Sequence, residues 1–105
     1  MLNIGGLIAE STALAILFSS PDCGVCHAIH PKLDQLFAQR FPEINYCQIN
    51  LVQMREQVAD FALMTAPTLV IYFEGQECLR YSHGFSLLQV SKEVARLYAL
   101  CFKVE

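Results

Sequence analysis

The chain has 105 residues, 54% apolar and 16% charged, and its seven Lys plus Arg against ten Asp plus Glu give a formal charge of -3. That length fits one domain, residues 1–105, burying about two thirds of its surface, and the apolar content excludes a disordered chain. No basic cluster is present to neutralise phosphates, which argues against nucleic acid as a partner. No apolar run is longer than Ala13 to Phe18, far short of the roughly 20 residues that cross a bilayer, so no membrane association is expected. With no basic residue before its first apolar run, the N-terminus does not read as a signal peptide, and the expected location is cytoplasmic.

Leu2 to Glu10 are apolar with a weak helical period, and a short helix is expected there. Ala13 to Phe18 ends at Ser19-Ser20-Pro21-Asp22, the pattern of a strand buried on both faces that runs into a loop. Cys26, Ile29, Leu33, Leu36, Phe37 and Arg40 then follow a helical period, with Lys32, Asp34, Gln35 and Gln39 opposite. This predicts an amphipathic helix stopped near Phe41-Pro42 and kinked at Pro31. Ile44 to Leu51 alternate in part and read as a second strand, and Arg55 to Leu63 read as a short helix. Thr68 to Phe73 is rich in β-branched and aromatic residues, and Glu74-Gly75-Gln76 turns it into Glu77 to His83. This is the strongest hairpin signal in the chain. Gly84 ends the hairpin, and Leu87, Val90, Val94, Leu97, Tyr98 and Cys101 form the face of a last helix. The prolines and glycines fall between these segments and punctuate them. The order is a short helix, then β-α-β-α-β-β-α, an α/β architecture with a central mixed four-stranded sheet flanked by helices. Its first two strands run parallel through a right-handed crossover and its last two form an antiparallel hairpin.

Five cysteines are an odd number at uneven spacing, which excludes a secreted disulfide scaffold. Cys47, Cys78 and Cys101 stand alone. Beside apolar neighbours, as in Tyr46-Cys47 and Leu100-Cys101-Phe102, such residues read as small buried hydrophobes. Cys23-Gly24-Val25-Cys26 instead lies where a buried strand meets an amphipathic helix. There the first sulfur faces the unpaired N–H groups and positive end of the helix, which favour thiolate over thiol and make Cys23 the expected nucleophile. Three residues on, Cys26 is placed to attack a mixed disulfide on Cys23 and release a reduced partner. Gly24 leaves room for a target chain to approach the sulfur. About forty residues downstream, Met64-Thr65-Ala66-Pro67-Thr68 introduces the hairpin. Pro67 is either a trans residue starting the strand, the commoner case, or a cis proline that leaves backbone groups free to pair with an extended substrate.

From Ala13 to about Cys101 these features together resemble the thioredoxin family. The likeness rests on a strand, Cys23-Gly24-Val25-Cys26, Pro31 five residues after the second cysteine, Ala66-Pro67-Thr68 before a strand, a turn with Gly75, and Gly84 before the last helix. The resemblance implies a thioredoxin fold, a Cys23 nucleophile, a resolving Cys26 that shares a redox disulfide with it, and a cis Pro67 facing the pair. Gly24, Val25, Ala66 and Pro67 then bind substrate, and no cofactor is expected. The implied activity is thiol-disulfide exchange with protein disulfide substrates, served by an unidentified electron donor. Only about twelve residues precede the first core strand, so the extra N-terminal strand of thioredoxin proper is expected to be absent.

Several positions depart from that pattern. Thioredoxins proper usually carry Trp before the first cysteine and Pro between the two, and here those places hold Asp22 and Val25. A negative charge at Asp22 opposes the helix dipole and is expected to raise the pKa of Cys23. The family's buried acid, six residues before the first cysteine, is Leu17 here, which removes the group thought to relay a proton for the second thiol. His27, where thioredoxins often place Lys, is either a solvated surface residue or a titrating cation beside the thiolate. Two alternatives accompany the redox reading. The lost acid and aromatic, with a mean hydropathy of +0.38, suggest a thioredoxin-fold scaffold that binds a partner or forms a homodimer with little turnover. Cys23, Cys26 and His30 have C-x2-C-x3-H spacing and suggest metal binding, though three ligands are too few for a closed site.

Overall fold

Strand β1 (Ala13–Ser19) is buried along its whole length, as its unbroken apolar run requires in the middle of a sheet. The computed structural model describes residues 3–59, 65–82 and 84–102. In it β1 pairs parallel with β2 (Asn45–Asn50) and antiparallel with β3 (Thr68–Phe73), which pairs antiparallel with β4 (Gln76–Ser82). The sheet order is β2-β1-β3-β4, the mixed four-stranded arrangement read from the sequence. Glu74 and Gly75 make the β3–β4 turn with positive φ (52° and 81°), a conformation that costs glycine nothing.

Alternation along β1 sends side chains to two separate cores. Ala13, Ala15 and Leu17 join Leu33 and Phe37 of helix α2 (Gly24–Arg40) and Val90, Val94 and Tyr98 of helix α4 (Leu87–Phe102). Leu14, Ile16 and Phe18 point the other way, to Ile4 and Ile8 of helix α1 (Ile4–Glu10) and to Ile49, Val70 and Tyr72. The short helix α3 (Arg55–Val58) is tied to α1, because the Ile4 backbone N–H donates to Gln57 Oε1 at 2.8 Å. Fully burying one Leu, Ile or Phe contributes about 1.5–3 kcal/mol, so β1 anchors both layers.

Some expectations hold, among them the end of α2 before Phe41-Pro42 and the absence of a strand before β1 among the described residues, and others shift. Helix α1 runs through Gly5 and Gly6, which therefore do not punctuate the chain; Asn3 caps it by accepting from the Gly6 N–H at 2.9 Å. Helix α2 continues past Pro31 to Arg40. Arg40, grouped with the apolar face in the sequence, is exposed and donates to Ser91 Oγ on α4. Strand β4 starts one residue earlier than expected, at Gln76. Leu2, residues 60–64 and His83, which ended or extended expected elements, lie outside the described residues.

Candidate functional site

One end of the sheet gathers the sequence features singled out above. Ser19 is paired with Asn50, Phe18 with Thr68, and Thr68 with Ser82. The β1–α2 loop, Pro67 and Gly84 therefore leave the sheet at the same edge, where β1 and its parallel neighbour present their carboxyl ends. In open α/β sheets that edge is where ligands bind.

At this edge Cys23 is the N-cap of α2. Its Sγ accepts from the Cys26 backbone N–H at 3.1 Å, and its carbonyl accepts from the His27 N–H at 3.2 Å. The cap is held from behind by a bond from the Cys23 N–H to the Ser20 carbonyl at 3.2 Å. Cys23 and Cys26 form a disulfide with Cα atoms 5.2 Å apart. Its two ends are unequal: Cys23 is half-buried, whereas Cys26 is 0% exposed. A helix N-terminus supplies N–H groups and a positive potential that favour negative charge on the capping sulfur.

The surroundings of the pair are open on one side and packed on the other. Val25 is 58% exposed, and a β-carbon at Gly24 would meet no atom within 4 Å. Asp22 is exposed. Ala66–Pro67 is a cis peptide, with Pro67 buried and Ala66 half-buried, and Thr68 Oγ1 donates to the Thr65 carbonyl at 2.8 Å. Leu17 is fully buried among Leu33, Leu69 and Val90, so the expected place of an acid holds packing instead.

His27 is exposed but tethered, its Nε2 lying 3.1 Å from the Pro21 carbonyl. It fills one wall of a polar groove of about 390 Å³ with Ser19, Ser20, Gln48, Asn50 and Gln53. Within that groove Gln48 Nε2 donates to Ser19 Oγ at 2.9 Å, and Asn50 Oδ1 accepts from the Val52 and Gln53 N–H groups. This groove was not legible in the sequence, where its residues are ordinary strand and loop polar groups.

His30 does not join the cysteines as a metal ligand. Its Nδ1 is 2.8 Å from Tyr46 Oη and its ring stacks on Tyr46 at 5.6 Å between centroids. Phe37, two turns on, stacks on the same tyrosine at 5.4 Å. Among the described residues no three His, Cys, Asp or Glu side chains are grouped to hold a metal ion, and the sulfurs of the C-x2-C-x3-H spacing are bonded to each other. Burial raises the Tyr46 phenol well above its ordinary range, with the charges of Asp34 and Cys47 adding to it. The spacing of His30 from Cys26 places both on the stripe that Leu33 and Phe37 continue, but its contact with Tyr46 of β2 had no signal in the sequence.

Relatives and solved structures agree with this architecture. The thioredoxin-like protein YdfQ of Bacillus subtilis is 30% identical over 100 residues, covering 95% of this chain and 88% of the relative. Thioredoxin 1 of Thermosipho africanus superposes with a TM-score of 0.76 at 23% identity, covering 83% of this chain and 96% of that one. The thioredoxin of Fasciola hepatica gives a TM-score of 0.75 at 26% identity, covering 87% and 88%. The fold is the thioredoxin fold, and with its bonded cysteine pair it is that of a thiol-disulfide oxidoreductase. The family model for thioredoxin matches residues 6–96, and on that match the chain belongs to the thioredoxin family.

Proposed function

We propose that the protein exchanges disulfides with protein substrates through Cys23 and Cys26, with Cys23 as the attacking and Cys26 as the resolving sulfur. The observation that carries this reading is the asymmetry of the bonded pair. Cys23 is half-buried at the cap of α2 and Cys26 is sealed behind it, so an incoming sulfur reaches one end of the bond only. Exchange proceeds by attack of a thiolate on a disulfide sulfur through a mixed disulfide. The Cys23 thiolate attacks the substrate, one substrate sulfur leaves, and Cys26 then attacks Cys23 to release the other. The substrate disulfide becomes two thiols, and an external dithiol donor reduces the Cys23–Cys26 bond that results.

In this reading, exposed Val25 between the cysteines and the cis Ala66–Pro67 segment, which enters β3 at the same end of the sheet, offer apolar and main-chain contacts to an extended substrate, and Gly24 lets it lie close. No helix among the described residues is long and apolar enough to cross a membrane. A reducing compartment such as the cytoplasm suits a pair whose resting task is reduction. The test is reduction of an insulin-type disulfide with a chemical reductant. Turnover by the wild-type chain is expected to fall to the uncatalysed rate in Cys23→Ser, and equal turnover by the two would sink the reading.

A further inference from the structure

Exchange through Cys26 requires that its thiol lose a proton at the moment it attacks Cys23, and Cys26 is sealed from water. Sulfur attacks as thiolate, so a buried thiol needs a nearby acceptor. Leu17, wholly apolar, offers none, and it is packed by other aliphatic side chains. The half-buried ring of His30 sits one helical turn after Cys26. Residues at i and i+4 have β-carbons about 5–6 Å apart, and a helical side chain covers the turn N-terminal to its own α-carbon. His30 and Cys26 thus stand on one face of α2, and the imidazole is held on that face by Tyr46 of β2.

We propose that His30 is the proton acceptor for the Cys26 thiol and that Tyr46 positions it. This rests on the exchange reaction proposed above and names the group that completes its second step. With Nδ1–H donating to Tyr46 Oη, Nε2 keeps its lone pair, and Nε2 has no hydrogen-bond partner among the described residues. The phenol stays protonated and neutral in its buried place, bracketed by the rings of His30 and Phe37, so it fixes the orientation of the imidazole without competing for the proton. In the step itself the Cys26 S–H proton passes to His30 Nε2, directly or across one water. The thiolate attacks Cys23 Sγ, the Cys23–Cys26 bond forms, and the bond from Cys23 to the substrate breaks. The substrate leaves as a thiolate and is protonated by solvent, and the imidazolium at the half-buried surface returns its proton to solvent. Two protein thiols are oxidised as one substrate disulfide is reduced. Cys26 and Asp34 lie one turn before and one turn after His30 on α2, and Tyr46 is the titratable group of β2 in contact with the imidazole.

The experiment uses the reduced full-length chain and a peptide disulfide whose two halves carry different fluorophores, followed by stopped flow. Release of the first half reports attack by Cys23, and release of the second reports resolution by Cys26. In His30→Gln the first release is expected to stay within about twofold of wild type, while the second slows by about 10-fold or more, at or below the usual range for a lost general base. Tyr46→Phe keeps the ring stack and is expected to slow the second release less, by about threefold. The wild-type rate of the second release carries a pH-dependent limb that His30→Gln lacks, and added imidazole restores part of the rate in His30→Ala. A purely structural role would move neither the pH limb nor the imidazole rescue. Second release at the wild-type rate in His30→Gln, or equal slowing of both releases, overturns the assignment of His30 and leaves the exchange reaction standing. Failure of wild type to release either half overturns the exchange reaction itself, and the role of His30 with it.

Discussion

The two faces of the sheet are both apolar, yet they handle polar groups in opposite ways. On the α2 and α4 face, tyrosine hydroxyls and other polar groups meet in pairs: Tyr46 with His30, Tyr81 Oη donating to Glu93 Oε1 at 2.6 Å, the Glu43 N–H donating to Tyr98 Oη, and Arg40 with Ser91. On the α1 face the core is aliphatic apart from Phe18 and Tyr72, and Tyr72 Oη has no hydrogen-bond partner among the described residues. Buried polar groups are costly unless paired. The face bearing the resolving sulfur is thus the one on which the chain has placed satisfied polar contacts, and the opposite face serves packing.

The largest expected effects test whether the faces depend on each other. Leu17 and Ile16 are neighbours on β1, each 0% exposed, and they point to opposite cores. Leu17→Ala and Ile16→Ala are each expected to cost about 2–5 kcal/mol in urea denaturation, since each leaves a cavity in a close-packed layer. Because one strand serves both layers, each variant is expected to unfold in a single transition seen alike by every probe. Two separated transitions in either variant would mean that the layers fold independently.

Much of this division was legible in the sequence, and the reason is periodicity. The unbroken run from Ala13 to Phe18 announced a strand with two buried faces, and the Cys26-Leu33-Phe37 spacing announced the side of α2 that meets one of them. The redox pair was legible for a different reason, since the spacing of Cys23 and Cys26 needs only a helix start to bring the sulfurs together. What the sequence withheld were contacts between elements. Nothing in Tyr46 alone distinguishes a strand residue that fills space from one that holds His30, because their meeting depends on how α2 crosses β2. The groove of Ser19, Gln48, Asn50 and Gln53 is likewise a product of strand register, and Gly5 and Gly6 are helical because Ile4 and Ile8 are buried and Asn3 caps the turn, against their own propensity.

Alkaline titration sharpens the comparison, with an intermediate effect. Burial raises the Cys47 thiol, which packs toward the α1 face. Burial also raises the phenols of Tyr46 and Tyr81 on the other face, helped at Tyr81 by the hydrogen bond to Glu93. A group whose folded pKa lies above its unfolded value contributes its full stability below the unfolded pKa and loses it as pH rises through the folded one. Stability is therefore expected to hold at neutral pH and to decline as pH passes the ordinary thiol range near 8.5, then more steeply past the phenol range near 10. Cys47→Ala is expected to remove the first part of the decline and leave the second. An unchanged onset in that variant would mean that the thiol ionises as easily in the folded chain as in the unfolded one.

The smallest effect is the most discriminating, because the two faces predict opposite signs for the same substitution. Tyr46→Phe removes a hydroxyl that is hydrogen-bonded to His30 and leaves the imidazole Nδ1 without its partner, so a loss of about 1 kcal/mol is expected. Tyr72→Phe removes a buried hydroxyl that bonds to nothing among the described residues, while the ring stays packed beside Val70 and Ile49. Relief of an unsatisfied polar group then raises stability by up to about 1 kcal/mol. Burial, the charge of Glu77 and the opposing charge of Arg80 together leave the Tyr72 phenol raised and neutral at pH 7, so no ionisation complicates the comparison there. Urea denaturation of both variants at pH 7 measures the difference directly. Equal losses in the two would show that the Tyr72 hydroxyl is satisfied in solution, and the contrast between a paired face and a merely packed one would then fail at the buried phenol on the α1 side.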